Sequence, residues 1–216
     1  MMYLPFDDYK KLYIKYLEYN RSPQDLIELA GDLSGKVAID LCCGDGRLGN
    51  QLQGVHKVYY VDGCKEMMVN VPDFGNAMKK VIDLSSDGLC MYIPSESTDV
   101  VFCQQAINYI LSDTLAKDLA QVLKKGGLFI FNTFNNKPPN NPQINSYHCD
   151  GFDYTEVNWS GENDIVYHVQ IREGLAPHSH SFFYFSPDRI AEILHPYFII
   201  TRIDKGKSSI YKCQRK

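Results

Sequence analysis

Val37-Ala38-Ile39-Asp40-Leu41-Cys42-Cys43-Gly44-Asp45-Gly46-Arg47-Leu48-Gly49 is the stretch that decides the fold. Lys36 to Leu41 is a short apolar run that reads as a buried strand, and a glycine-rich turn leads from it into a short helix over 47–53. Glycines placed after a strand and before a helix let a ligand approach the backbone closely. Gly44, Gly46 and Gly49 also spell G-x-G-x-x-G, a pattern that is weak evidence of a dinucleotide site unless its surroundings agree. They do not agree here. Asp40 closes the strand and Asp45 lies inside the turn, and like charges about 4 Å apart cost on the order of kcal/mol even when partly solvated. The turn therefore suits a ligand that is cationic near the first strand rather than a pyrophosphate.

Moving outward, strands are expected at 57–61, 80–84, 99–103 and 128–132, with helices opening near Lys65 and spanning 112–123. The alternation of strands and helices implies right-handed crossovers and a parallel sheet. A helix opened by Ser186-Pro187-Asp188 and two strands, 198–203 and 208–214, close the chain as a hairpin joined at Asp204-Lys205-Gly206. The expected fold is α/β: a doubly wound, mostly parallel, seven-stranded Rossmann-like sheet with an antiparallel closing hairpin. Asp62 ends the second strand and supplies an acceptor for two ribose hydroxyls, and Asp83, at the end of the third, could accept from an exocyclic amine.

Residues 6–17 place Phe6, Tyr9, Leu12, Tyr13, Tyr16 and Leu17 at helical spacing; a second helix is capped by Ser22, with Pro23 in its first turn and Gly31 at its end. After residue 135 the pattern changes. Residues 136–152 are rich in Pro and Asn and read as a loop, and the period-2 stretches 153–160, 164–172 and 178–185 read as a small antiparallel β cap. The chain thus divides into N-terminal helices (1–35), a ligand-binding core (36–135), a cap insert (136–185) and a closing helix and hairpin (186–216) of a single domain.

Residues 6–135 and the closing hairpin resemble the class I S-adenosylmethionine-dependent methyltransferases. Asp40 to Gly46 is similar to the family's acid-x-Gly-x-Gly-x-Gly turn, with Cys42 in place of the first glycine. Asp62-Gly63-Cys64-Lys65-Glu66-Met67-Met68 resembles its second motif, Ile82-Asp83-Leu84 its third, and Val122-Leu123-Lys124-Lys125-Gly126-Gly127-Leu128 its Leu-Lys-Pro-Gly-Gly turn, with Lys125 in place of Pro. The resemblance implies that S-adenosyl-L-methionine is the cofactor. It implies contacts to that cofactor from Asp40, Cys42, Gly44, Gly46, Asp62, Gly63, Met67, Asp83 and Leu84. Arg21 would hold the methionine carboxylate, Tyr13 or Tyr16 would come from an N-terminal helix that closes over the cofactor, and Gln104 would sit at the mouth beside the fourth strand.

A small-molecule acceptor, methylated at N or O, is expected in place of a nucleic acid. Lys plus Arg total 22 against 26 for Asp plus Glu, a formal charge of −4, whereas gripping a phosphate backbone usually takes a basic face. Nucleic-acid amino-methyltransferases of this fold usually carry Asn/Asp-Pro-Pro-aromatic after the fourth strand; here that place reads Cys103-Gln104-Gln105-Ala106. A hydroxyl acceptor needs a base with a pKa near ambient, and the cap offers His168, His178 and His180. The His-x-His pair at 178 and 180 lacks an evident third ligand, so no metal is expected. Two other readings share the glycine turn: an NAD-dependent oxidoreductase, opposed by Asp40, Asp45 and the lack of Tyr-x-x-x-Lys, and a non-catalytic cofactor-binding partner protein. The seven cysteines contain no C-x-x-C pair and read as reduced thiols of a cytoplasmic protein. No apolar run approaches the ~18 residues of a membrane helix, and the N-terminus does not read as a signal peptide.

Overall fold

The computed structural model describes residues 23–72, 75–149, 152–172, 174, 177–206 and 208–216. These residues form two compact units, one of 22–135 with 187–216 and one that includes 136–186. Tyr13, Tyr16 and Arg21, like the whole of the expected helix at 6–17, lie outside the described residues.

The larger unit is a seven-stranded sheet. Its strands are β1 (Val37–Leu41), β2 (Lys57–Asp62), β3 (Ala77–Val81), β4 (Thr98–Cys103), β5 (Leu123–Phe134), β10 (Phe198–Lys205) and β11 (Ser208–Arg215). They lie in the order β10-β11-β5-β4-β1-β2-β3. β1 to β5 pair in parallel, while β11 runs antiparallel to both β5 and β10. The winding direction reverses between β1 and β4, so the carboxyl ends of those strands open on the crevice where ligands of such sheets bind. This is the expected fold.

Both faces of the sheet are apolar because the parallel strands are covered on both sides. Ala38, Val58, Tyr60, Phe102 and Ile130 join Leu26, Ala30, Leu48 and Leu52 in one core. Ile39, Leu41, Val101, Phe129 and Phe131 alternate to the opposite side and are buried there. Among the described residues four helices accompany the sheet: α1 (Gln24–Ala30), the single turn α2 (Ile107–Ile110), α3 (Asp113–Val122) and α4 (Pro187–Leu194). Ser112 caps α3, its side chain accepting from Leu115 N at 3.1 Å. α4 opens on Pro187, where the missing N–H costs nothing, and buries Ile190, Ile193 and Leu194. Ser22, the expected cap of α1, lies outside the described residues; the Pro23 carbonyl accepts from Leu26 N and Ile27 N.

Four local expectations are corrected. The third strand spans 77–81 rather than 80–84: it pairs with β2 alone at the sheet edge, so the half-buried lysines 79 and 80 lie within it. The helix expected near Lys65 is a single 3-10 turn, Met67–Asn70, and the one expected over 47–53 is a 3-10 turn at Gly49–Gln51. Lys124 to Gly127 belong to β5, across a bulge that shifts its register with β4 between Thr98 and Val100.

The smaller unit is a four-stranded antiparallel sheet in the order β6-β7-β8-β9. Its strands are β6 (Gln143–Cys149), β7 (Phe152–Ser160), β8 (Ile165–Arg172) and β9 (His178–Phe183). β6 corrects the reading of 136–152 as a loop: among the described residues of that span, 136–142 are strand-free and 143–149 are paired.

Candidate active site

The glycine turn is built by backbone that side chains resist. Cys42, Gly44 and Gly46 have φ of 55°, 53° and 80°, the left-handed region that only Gly enters without cost. Cys42 is the exception, and it adopts that conformation where the resembled family has glycine. Gly49 is required for space: a Cβ there would lie 2.3 Å from Tyr60 Cε1 and 3.0 Å from Asp40 Oδ2.

Asp40 is 2% exposed, and its Oδ2 accepts from Gly49 N at 2.8 Å. It braces the turn from below while giving it negative charge. Burial pushes its pKa up to about 7, opposed by the Gly49 hydrogen bond and reinforced by Asp62 and Asp45. Asp62 tethers two segments: Oδ2 accepts from Gly44 N at 2.8 Å, and Oδ1 from Cys64 N at 2.9 Å. Burial raises its pKa too. Each carboxylate oxygen has two lone pairs, so Asp62 keeps room to accept ribose hydroxyls. The same field reaches Tyr60, whose phenol is pushed up to about 12 by burial, Asp40 and Cys43.

This donor set fits S-adenosylmethionine. The carboxylates that raise the Asp40 pKa favour a positive centre and oppose a pyrophosphate. Gly63 is also packed close: a Cβ on it would lie 3.5 Å from the Ile82 carbonyl oxygen and 3.9 Å from Asp83 Cα. The second and third motifs are thereby brought side by side. Asp83 itself is exposed and lies two residues beyond β3. Its Oδ1 accepts from the Ser85 hydroxyl at 2.6 Å and from Ser85 N at 3.0 Å, which holds its pKa below the usual carboxylate range. Met67 and Met68 are buried, Met68 within the core; Leu84 and Gln104 are half-buried.

Beside the mouth of β4 a polar network escaped the sequence reading. Gln105, at φ 59°, donates its backbone N–H to Asn132 Oδ1 at 2.7 Å, and the buried Thr133 hydroxyl donates to Asn108 Oδ1 at 2.8 Å. The signal was Asn132-Thr133 ending an otherwise apolar strand. A hollow of about 360 Å³ lined by Lys36, Asp99 and Lys124 lies at the amino ends of β1 and β4, away from these groups.

Within the smaller unit, β8 and β9 bring the three candidate histidines together. His168 lies opposite His180, and Gln170 opposite His178. The His168 and His180 rings stack with centroids 4.8 Å apart, those of His178 and His180 at 5.2 Å. Burial, then the neighbouring histidines, pushes His168 down to about 3; His180 is held at about 4 by burial and His178. Burial also lowers His178. Glu156 on β7, buried and absent from the sequence expectations, places Oε1 3.9 Å from His168 Nε2. Among the described residues no group of three or more His, Cys, Asp or Glu could hold a metal ion. No helix among them is long and apolar enough to cross a membrane.

The Asp40 shift has a measurable consequence. A folded-state pKa above the ordinary value of about 3.9 means that ionising Asp40 destabilises the fold. Its contribution is complete below about pH 4 and is lost as pH rises through about 7. Carboxylates held low, such as Asp83 and Asp99, oppose this trend, so the comparison must be with Asp40→Asn. In thermal melts of the cofactor-free protein, wild type should lose stability relative to Asp40→Asn between about pH 4.5 and 7.5. A constant difference across that range would contradict the buried, uncompensated carboxylate.

Comparison with known proteins agrees with this geometry. Residues 39–131 match the methyltransferase domain family. An uncharacterized methyltransferase of Schizosaccharomyces pombe is 30% identical over 50% of this chain and 43% of its own length, so the match spans less than half of that relative. A structure of an S-adenosylmethionine-dependent methyltransferase from Clostridium acetobutylicum superposes with a TM-score of 0.75 at 20% identity, covering 97% of this chain and 98% of that one. The S-adenosylmethionine-bound structure of an amino pentose methyltransferase from Micromonospora echinaspora gives 0.74 at 11% identity over 100% of both chains. A sugar N-methyltransferase from Streptoalloteichus gives 0.70 at 12%, covering 100% of this chain and 94% of that one. At these identities the structures speak for the fold. The domain match begins inside β1, runs through the parallel core as far as Phe131 and takes in both acids that bind the glycine turn, so residues 39–131 of this chain form a methyltransferase domain.

Proposed function

We propose that this chain transfers a methyl group from S-adenosylmethionine to a nitrogen or oxygen atom of a small-molecule acceptor. The observation that carries the reading is the buried acidic turn, in which Asp40 and Asp62 each bind a turn amide while leaving a negative field at the crevice. When bound, S-adenosylmethionine supplies an electrophilic methyl carbon on a positively charged sulfur. Asp62 would hold the ribose, Gly63, Met67, Asp83 and Leu84 the adenine side, and Gln104 the methionine side, with Cys42, Gly44 and Gly46 as backbone floor. Tyr13, Tyr16 and Arg21 complete the proposed set. Holding two reactants in line supplies roughly 7–11 kcal/mol of barrier reduction in well-oriented systems.

The small-molecule acceptor is supported by the formal charge of −4 and by two similar folds that act on an amino pentose and on a sugar nitrogen. Acceptor choice is assigned to 136–185, because every cofactor motif lies outside that segment. If the acceptor is a hydroxyl, His168, His178 or His180 must serve as base, against the downward shift that burial imposes on all three. The test is release of S-adenosylhomocysteine on incubation with S-adenosylmethionine and a panel of amino and hydroxy sugars, oligonucleotides and peptides. Turnover confined to the small molecules supports the reading; turnover on oligonucleotides or peptides alone overturns it. His178→Ala and His180→Ala should leave S-adenosylhomocysteine affinity within a few fold, and a collapse of that affinity in folded variants would refute the division of labour.

A further inference from the structure

β5 turns polar where it passes the end of β4. Leu128 to Phe131 are apolar, and Asn132 and Thr133 follow, both buried. Burying such groups costs free energy unless they find partners, and both find them in the chain that leaves β4. Asn132 Oδ1 accepts from Gln105 N at 2.7 Å. The Thr133 hydroxyl donates at 2.8 Å to Oδ1 of Asn108, a buried residue of α2. β4 ends at Cys103, so only Gln104, Gln105 and Ala106 join it to α2. Within that link Gln105 has φ of 59°, a conformation that costs free energy at any residue with a Cβ. Strain of this kind persists only where the surroundings impose it, and it gathers at ligand sites. Here the Asn132 carboxamide is the group that grips the strained residue.

We propose that Asn132 is a positioning residue for the amino-acid end of the cofactor: it holds Gln105 in the left-handed conformation and so fixes where Gln104 meets the methionine moiety. The proposal rests on the methyl-transfer reading above, which places Gln104 on the methionine side. The link is anchored at both ends, by the pairing of Cys103 with Phe131 before it and by the Thr133–Asn108 bond after it. A change of φ at Gln105 must therefore be absorbed within three residues, and Gln104 is the one that stands between the strand and Gln105. Gln104 is half-buried at the carboxyl end of β4, on the side of the sheet where the reversal of winding between β1 and β4 opens the crevice. Asn132 lies one residue beyond the last β4–β5 pair, level with the turn it holds. A tether that served stability alone would affect every part of the cofactor equally. One that acts through Gln104 affects the methionine end.

The test compares two ligands by calorimetric titration: S-adenosylhomocysteine, and 5′-methylthioadenosine, which keeps the nucleoside and the sulfur but lacks the amino-acid end. Asn132→Ala should weaken S-adenosylhomocysteine about tenfold and leave 5′-methylthioadenosine within a few fold. In a Gln105→Gly background, where glycine adopts the left-handed conformation without help, the same substitution should cost S-adenosylhomocysteine no more than a few fold. Wild type supplies a check that needs no variant and so decides the matter even where Asn132→Ala does not fold. In amide hydrogen exchange, S-adenosylhomocysteine should slow the Gln105 N–H more than 5′-methylthioadenosine does at equal saturation. Equal losses for the two ligands, no loss for either, a full loss retained in the Gln105→Gly background, or equal slowing of Gln105 exchange overturns the proposal while the cofactor reading stands. Wild type that binds neither ligand overturns the methyl-transfer reading and this proposal with it.

Discussion

Replacing Asp62 with alanine should weaken S-adenosylhomocysteine binding by about two orders of magnitude, and replacing Asp83 should change it by only a few fold. Asp62 carries two loads. It is the acceptor proposed for the ribose hydroxyls, and each hydrogen bond to a charged group contributes about 1.5–3 kcal/mol. It also fixes Gly44 N at 2.8 Å and Cys64 N at 2.9 Å, so its loss frees the turn as well as the ligand. Asp83 is exposed, and Ser85 already occupies its Oδ1. Calorimetric titration of the two variants decides the matter: equal losses, or a larger loss for Asp83, would show that the second strand's end is misassigned.

Gly49→Ala should lower the melting temperature and abolish cofactor binding together. The added methyl would meet the Tyr60 ring at 2.3 Å and the Asp40 carboxylate at 3.0 Å. Tyr60 cannot step aside easily: it is 3% exposed, packed in the core, and its hydroxyl donates to Asn50 at 2.9 Å. Overpacking of this kind typically costs about 1–3 kcal/mol. The contact falls on the Asp40–Gly49 bond that shapes the turn, so binding should fall further than stability. A variant that melts like wild type and binds S-adenosylhomocysteine normally would contradict the close packing seen here.

The parts legible in the sequence were those set by local chemistry. Asp40 and Asp62 stand at the ends of apolar runs, and the sheet places both beside the glycine turn. The helix expected over 112–123 forms over 113–122, with Ser112 as its cap. What escaped depends on partners distant along the chain. β6 has the sequence Gln-Ile-Asn-Ser-Tyr-His-Cys, with no clean apolar alternation, and becomes a strand through pairing with β7. β3 was displaced toward Val81-Ile82-Asp83-Leu84 because an edge strand with one neighbour tolerates lysines that a central strand would not. Glu156 gave no signal, since only the β7–β8 register sets it diagonally across from His168. Asp40 was legible as an acid at the site, but not as the acceptor of Gly49 N, because that bond spans the whole turn.

The central claim is that the acidic turn is built for a cationic nucleoside and not for a pyrophosphate, and paired calorimetric titrations with S-adenosylhomocysteine and NADH test it most directly. S-adenosylhomocysteine should bind with a dissociation constant in the micromolar range typical of metabolic ligands, and NADH should show no saturable heat. Saturable binding of NADH together with no binding of S-adenosylhomocysteine would contradict the account.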